Sequence, residues 1–135
     1  MISRYRAWMK SLKWMCDVTN ISFDSKFVDI CQQGDIERYT EMSVEFDEIE
    51  LMQSTGLEDD FGKEIFEGDV ILWTYWDEFE DSGRAKIVFD KGMFKLLDIH
   101  TEKEIWDSLF DCIENCNVYL QGNVYENPEI LEEKE

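Results

Sequence analysis

Residue types that commonly do chemistry are sparse in this chain, and the first to weigh are its cysteines and its single histidine. Cys112 and Cys116 are four residues apart, so a helix would place both thiols on one face, where Cys16, Cys31 or His100 could complete a metal site. Structural zinc ligands usually come as two close pairs, and no second pair is present. We therefore expect no metal, and we expect the four cysteines to be reduced and mostly buried.

Catalytic constellations are also missing from the sequence. His100 has no serine or cysteine nucleophile in a recognisable motif around it. Carboxylate pairs for acid and base work could be drawn almost anywhere in so acidic a chain, so no particular pair is informative. The run Glu58-Asp59-Asp60 lacks the alternating ligands and the closing glutamate of an EF-hand calcium loop. We expect no enzyme and no cofactor.

Charge is the strongest feature of the composition. The net charge is −19, and residues 41–81 contain 15 acidic residues and one basic residue, which is −14 of that total. This concentration in one third of the chain indicates an electrostatic field directed at a partner. It disfavours direct binding to nucleic acid, because that mode requires clustered lysine and arginine.

Length and hydropathy favour one domain over 1–135. The 135 residues are 44% hydrophobic, which suffices for a core. No apolar run reaches the roughly 18 residues of a membrane span, and the first residues lack the pattern of a secretory signal. We expect a cytoplasmic protein that makes no membrane contact.

The first 50 residues predict a hairpin and an acidic strand. Tyr5, Ala7 and Met9 alternate with polar residues as in a strand, although the spacing of Tyr5, Trp8, Leu12 and Met15 would also fit a helix; we favour the hairpin. Residues 17–39 predict one short strand and loops. Alternation over 41–47 predicts a strand with acids outside, continued through 49–51 after a β-bulge.

Residues 51–127 predict a β-rich, barrel-like part with one helix. A turn over 57–65 precedes a buried strand over 69–76, an acidic loop, and two strands joined at 90–92. The apolar spacing of 104–116 predicts the helix, and 117–125 returns to strand character. Asn127-Pro128 then begins a short helix or tail over 128–135. The predicted class is mainly β (α+β).

Three segments carry a family resemblance. RYRAW at 4–8, LMQSTGLEDDFGKEIFEGDVI at 51–71 and GNVYENPEIL at 122–131 resemble, in order and spacing, the YopX family of small bacteriophage and prophage proteins. The resemblance implies a mainly β fold with a small barrel-like part, and it implies no catalytic site. The matching positions are Met52, Gln53, Thr55, Gly56, Leu57, Gly62, Ile65, Glu67, Gly68, Asp69, Gly122, Asn123, Tyr125, Glu126, Asn127 and Pro128.

These motif residues have an ordinary structural interpretation. Glycines such as Gly56, Gly62 and Gly68 make turns, and an aspartate such as Asp69 accepts backbone amides to hold a bend. A ligand loop is the alternative, but no phosphate-binding sequence accompanies them. We expect the motif to stabilise the fold.

The acidic excess beyond the family pattern suggests DNA mimicry. Alternate carboxylates on a strand recur every ~6.6 Å, close to the ~7 Å between phosphates of one DNA strand, so Glu41, Glu45 and Asp47 could compete for a basic groove. Trp76 and Phe79 would anchor the rim. The predicted partner-binding carboxylates are Glu41, Glu45, Asp47, Glu48, Glu58, Asp59, Asp60, Asp77, Glu78, Glu80 and Asp81.

This hypothesis makes the chain a phage-encoded inhibitor of a bacterial nucleic-acid-handling enzyme, such as a CRISPR effector or a restriction enzyme. The partner is then a protein with a basic nucleic-acid-binding groove in the host cytoplasm. The alternative is a structural or regulatory phage accessory module whose acid serves only solubility. The sequence is also compatible with a homo-oligomer.

Overall fold

Residues 5–75 and 82–132 are described by a computed structural model of the chain. The chain divides into two compact units, Met1–Ser54 and Thr55–Glu135. The predicted subdivision at residue 50 falls near this boundary, whereas the predicted tail 128–135 is part of the second unit. Strand β5, Ile49–Glu58, continues across the boundary, so each unit contains part of it.

The first unit is an antiparallel sheet. Its strands are β1 (Tyr5–Met9), β2 (Trp14–Ser22), β3 (Phe27–Gln32), β4 (Met42–Glu45) and the start of β5, in the hydrogen-bonded order β4-β3-β2-β1-β5. A 3-10 helix, η1 (Phe46–Glu48), joins β4 to β5. Period-two burial along these strands forms the core: Ala7, Met9, Cys16, Val28, Ile30, Val44 and Ile49.

The second unit begins with the end of β5, which precedes β6 (Glu64–Phe66) in the order of its sheet. A separate antiparallel sheet has the order β10-β9-β8-β7-β11. Its strands are β7 (Asp69–Tyr75), β8 (Ser82–Asp90), β9 (Met93–Asp98), β10 (Glu104–Ile105) and β11 (Cys116–Asn123). Helix α1 (Leu109–Asn115) precedes β11, and a 3-10 helix, η2 (Pro128–Glu132), ends the described chain.

Both faces of this five-stranded sheet bury apolar side chains. Val70 and Ile71 are consecutive on β7 and therefore point to opposite faces. Ile71 belongs to the larger cluster, with Leu96, Leu109 and residues of α1 and β11. Val70 belongs to a smaller cluster with Ile99 and Ile130, which η2 brings to that face.

The prediction of a mainly β fold is confirmed. The N-terminal hairpin, the turn before β6, the buried strand β7, the β8–β9 hairpin and strand β11 all form where the patterns placed them. Within the described residues the strands form two open sheets, and neither sheet closes into a barrel.

Three local predictions were wrong. Residues 17–39 contain most of β2 and all of β3, not one short strand. The connection at 46–48 is a 3-10 helix instead of a β-bulge. The predicted helix over 104–116 shortens to α1, because Glu104 and Ile105 pair with β9 and Cys116 begins β11. The Ser108 side chain caps α1 by accepting from the Asp111 backbone N–H at 3.1 Å.

Within the described residues, no helix is long and apolar enough to cross a membrane.

Candidate docking surface

Asp59 is a buried carboxylate that holds the central family motif in place. Its side chain is only 6% exposed. Oδ1 accepts backbone N–H groups of Phe61 at 3.0 Å and Lys63 at 2.9 Å, and Oδ2 accepts that of Leu120 at 3.0 Å. The carboxylate therefore fixes the β5–β6 turn and joins it to β11. The prediction that Asp59 belongs to an exposed binding surface was therefore wrong.

Electrostatics at Asp59 agree with this structural role. Desolvation is the largest single influence and raises the pKa of the carboxyl group, but the hydrogen bonds from Leu120, Lys63 and Phe61, together with the charge of Lys63, outweigh it. The net result is a pKa below the ordinary value of an aspartate. The ionised form is therefore the one that stabilises the fold.

Other residues of the central motif also make structural contacts. The Thr55 hydroxyl donates to the carbonyl oxygen of Ile65 at 2.6 Å, and Asp69 Oδ2 accepts the backbone N–H of Phe66 at 2.7 Å. The Gly68 N–H donates to the Ile87 carbonyl, and the Gly68 carbonyl accepts from Val124. Gly62 and Gly68 lie in turns, as predicted, and partly buried Glu67 precedes Gly68 in its turn. Gly56 lies inside β5 instead.

The late motif, 122–131, forms a turn that leads into η2. Asn123 Oδ1 accepts backbone N–H groups of Tyr125 at 3.0 Å and Glu126 at 2.8 Å, which is an Asx turn. The Asn127 side chain accepts from the Asn123 backbone at 3.3 Å. Pro128 is the first residue of η2, where the missing N–H costs nothing.

The predicted binding acids of the first unit lie just before β4, on β4 and on η1. Glu41, Glu45, Asp47 and Glu48 are all exposed. Glu41 pairs with Arg38, and Glu48 accepts the backbone N–H of Glu45 at 2.7 Å. Glu45 and Asp47 make no ion pair with any base that the structure describes.

The predicted regular row of carboxylates is only partly present. Glu41 and Glu45 flank outward-facing Ser43, whose hydroxyl bonds to Asp29, so they lie two alternate positions apart. Asp47 is in η1 and leaves the line of the strand. The row that would match phosphate spacing is therefore corrected to an irregular acidic patch.

The loop before β4 presents apolar side chains to solvent. Ile36 is 92% exposed and Tyr39 is 84% exposed. Asp35 orders this loop, because its Oδ2 accepts both the backbone N–H and the hydroxyl of Thr40 at 2.7 Å, and Thr40 Oγ1 in turn accepts the Gln32 N–H at 2.9 Å. The side-chain bond from Thr40 is the largest cause of a lowered pKa at Asp35.

We call the exposed side chains of this loop, β4 and η1 the acidic β4 surface; its apolar groups lie on the loop, and carboxylates lie on all three parts. A sequence pattern cannot reveal it, because Ile36 and Tyr39 resemble core residues until the loop is seen. Two contacts lie next to this surface. The ring of exposed Phe23 packs edge-on against that of Phe46, with the ring centroids 6.0 Å apart, and the Lys26 carbonyl accepts the Phe46 N–H. The acidic β4 surface consists of Ile36, Glu37, Tyr39, Glu41, Glu45, Asp47 and Glu48.

The remaining predicted acids lie elsewhere. In the second unit, Glu58 and Asp60 are exposed, and Asp60 Oδ1 accepts weakly from Val118 at 3.4 Å. The predicted carboxylates Asp77, Glu78, Glu80 and Asp81 and the predicted anchors Trp76 and Phe79 lie outside the described residues.

The metal site considered at Cys112 and Cys116 does not form in the described part of the chain. No group of three or more His, Cys, Asp or Glu side chains among residues 5–75 and 82–132 is arranged to hold a metal ion. Cys112 and Cys116 pack in the larger core cluster of the second unit. Burial, the largest cause, raises the pKa of both thiols.

The fold is a small antiparallel β protein of two units, and the three segments that carry the family resemblance fall on β1, on β5 to β7, and on the turn between β11 and η2. A comparison with protein families matches the YopX protein family over residues 4–132. The chain belongs to the YopX family.

Two solved structures resemble the chain over nearly its whole length. The crystal structure of protein EF1440 from Enterococcus faecalis is 27% identical, with a TM-score of 0.63, covering 97% of this chain and 99% of that one. The crystal structure of protein yopX from Bacillus subtilis is 20% identical, with a TM-score of 0.61 and coverage of 96% and 98%; it shows the fold alone. No curated protein matches the chain.

Proposed function

We propose that this protein is a non-enzymatic, phage-encoded binding protein that acts in the host cytoplasm. Its acidic β4 surface docks on the basic groove of a bacterial nucleic-acid-handling enzyme, such as a CRISPR effector or a restriction enzyme, and excludes DNA or RNA. The single observation that carries this proposal is that the edge strand β4 and η1 expose Glu45 and Asp47, which make no ion pair with a described base, while the loop that leads into β4 exposes Ile36 and Tyr39.

The carboxylates supply attraction and selectivity. A chain of net charge −19 approaches a basic groove faster than a neutral one, and this steering weakens as salt rises. Unpaired carboxylates such as Glu45 and Asp47 can form new ion pairs without first breaking an internal pair. Because the patch is irregular, the mimicry rests on charge density and not on a phosphate-like spacing.

The apolar side chains supply affinity. Interface energy concentrates in a few anchors, among which tyrosine is enriched, and polar groups around them exclude water. Ile36 and Tyr39 lie on a loop that Asp35 and Thr40 hold in place. An ordered loop loses little conformational entropy on binding.

Affinity capture from a bacterial lysate with matched variants tests the proposal. The surface variant is Glu41→Gln, Glu45→Gln and Asp47→Asn; the control is Asp107→Asn, Glu114→Gln and Glu129→Gln, which removes three exposed charges of the second unit. The wild type and the control should recover the same basic nucleic-acid enzyme at ~50 mM salt and lose it at ~200 mM. The surface variant should recover little of it.

The result that contradicts this account is equal recovery by the surface variant and the control. Thermal unfolding of all three proteins shows whether each is folded. Recovery that survives moderate salt in every variant would also count against electrostatic docking.

A structural or regulatory phage module is the second candidate, and the exposure of Ile36 and Tyr39 favours it, because exposed apolar groups also serve assembly. It predicts a stable homo-oligomer that an Ile36→Ser, Tyr39→Ser variant dissociates. Equilibrium sedimentation separates the two candidates, since the inhibitor requires no self-association.

A further inference from the structure

The second unit contains a pocket on the sheet face that carries the smaller apolar cluster. Its volume is about 310 Å³. The apolar part of its wall is Leu97, Ile99 and Leu131, and the polar part includes Lys86 and His100. Leu131 comes from η2, whose Ile130 packs with Val70 and Ile99 immediately beside the pocket. This volume is at the lower end of the range found for small-molecule sites.

The floor of the pocket is built by pairing and by one turn. Lys86 on β8 is the direct cross-strand partner of Leu97 on β9, so both side chains stand on the same face. Asp98 Oδ1 then accepts the backbone N–H groups of His100 at 2.8 Å and Thr101 at 3.0 Å. The Glu102 N–H donates to the Asp98 carbonyl at 2.8 Å. These bonds order the turn that carries His100.

Lys86 is unusual among the bases of this acidic chain. Its side chain is half-buried, yet it has no hydrogen bond or ion pair with the residues that the structure describes. Lys95, on β9, shows the ordinary arrangement, with Asp90 Oδ2 at 3.6 Å and Glu104 Oε1 at 3.2 Å. The Lys86 ammonium is therefore a charged donor in the wall of a partly apolar pocket, with no partner among the described residues, and it can bind an anion there.

The neighbouring groups limit the charge of that anion. The His100 side chain makes no hydrogen bond to the described residues, and an imidazole can donate one. Asp98 and Glu102 also line the pocket, and their carboxylates would repel a phosphate of nearly two negative charges more than a single carboxylate. The three apolar wall residues favour a small hydrocarbon group.

We infer that this pocket binds a carboxylate carried on a small apolar group, with the carboxylate at Lys86 and His100 and the hydrocarbon against Leu97, Ile99 and Leu131. Two sources share this chemistry: a free small carboxylic acid, and the terminal carboxylate of a peptide that ends in an aliphatic residue. The site is independent of the acidic β4 surface, which belongs to the first unit.

Titration of the ¹⁵N-labelled full chain, followed by backbone NMR, tests the inference. The probes are 4-methylpentanoate, its uncharged amide, N-acetyl-glycyl-leucine and inorganic phosphate. We expect saturable shifts at Lys86, Asp98 and His100 with the two carboxylates and none with the amide. Tighter binding of the peptide than of 4-methylpentanoate would identify a chain terminus as the source, and the reverse order would identify a free acid.

Variants locate the charge that is responsible. Lys86→Gln should weaken binding about tenfold or more, whereas Lys91→Gln, which removes an exposed base of the β8–β9 turn, should leave it unchanged. If the Lys86→Gln variant does not fold, His100→Gln provides a second test, and it should also weaken binding of the carboxylates. The inference is overturned by equal binding of the amide, by binding of phosphate alone, or by the absence of saturable shifts with either carboxylate.

Discussion

Asp59 and Leu120 are 61 positions apart in the chain, yet Asp59 Oδ2 accepts the Leu120 backbone N–H at 3.0 Å. This bond ties the turn of the central family motif to β11, the strand in which the late motif begins. The bond therefore holds the central motif against the strand that leads into the late motif. The contact explains why an aspartate in an acidic run has a role different from that of its neighbours.

Asp59→Asn should destabilise the protein by about 2 kcal/mol at pH 7, because the amide nitrogen cannot accept one of the three backbone bonds. Asp60→Asn is the matched control: Asp60 is exposed and accepts one long bond, so its loss should cost less than about 0.5 kcal/mol. Urea unfolding measures both.

The difference in stability between wild type and Asp59→Asn should depend on pH, because the pKa of Asp59 is lowered in the folded protein. Its stabilisation is fully present above the pKa of an unfolded aspartate and is lost as the pH falls through the lower folded pKa. The difference in free energy of unfolding between wild type and Asp59→Asn should therefore become smaller as the pH falls below about 4. A difference that stayed constant down to the lowest pH at which the protein folds would contradict a stabilising role for the ionised Asp59 side chain.

Gly122→Ala should destabilise the second unit by about 2 kcal/mol or more. Gly122 has φ +148°, and an added Cβ would lie 2.6 Å from Asn127 Oδ1 and 2.9 Å from Ile130 Cδ1. Gly92→Ala is the control, since Gly92 also has a positive φ of +82° but has open space around it, and it should cost about 1 kcal/mol. Equal midpoints in thermal unfolding would show that the crowding at Gly122 is unimportant.

The four cysteines are free and buried, and they should resist labelling in the native protein. Burial raises the pKa of Cys16 to about 11, with smaller contributions from Cys31 and Asp17, so its thiolate fraction falls about a hundredfold at neutral pH. A coloured disulfide reagent should react slowly with native protein and rapidly with all four thiols in denaturant. Rapid labelling of Cys16 in native conditions is the opposing result.

Ile36→Ser with Tyr39→Ser should leave the free energy of unfolding within about 0.5 kcal/mol of wild type, because both side chains are exposed. The same variant should lose 2 kcal/mol or more, roughly, of partner affinity if these side chains are anchors. Leu12→Ser, at an exposed apolar residue of the β1–β2 turn, is the control and should bind as wild type does. Titration calorimetry of each variant with the captured enzyme measures the affinity and shows whether Ile36 and Tyr39 contribute to binding.

Local patterns predicted what depends on local physics. Alternation around Ala7 and the β-branched run at Val70-Ile71 placed β1 and β7, because period-two burial is visible in the sequence. The helix over 104–116 failed because Glu104 and Ile105 pair with β9, a tertiary contact that overrides helical spacing.

The candidate sites were less predictable for the same reason. The residue types around Asp59 and Asp60 do not distinguish the two; the fold does, because it gives Asp59 the backbone N–H groups of Phe61, Lys63 and Leu120. Lys86 and His100 are far apart in sequence and share a pocket through the β8–β9 pairing and the turn after β9. Exposure of Ile36 depends on the loop that Asp35 and Thr40 close. Charge, in contrast, could be counted directly, and it led to the surface that we propose for docking.

Displacement of a labelled DNA duplex or RNA strand from the captured enzyme tests the central claim most directly. The wild type and the control with three charges of the second unit removed should displace the nucleic acid completely and competitively. The Glu41→Gln, Glu45→Gln, Asp47→Asn variant should need about tenfold to a hundredfold more protein, since each lost surface pair contributes up to about 1 kcal/mol. A complex that holds nucleic acid and this protein at the same time, or equal displacement by both variants, would contradict the account.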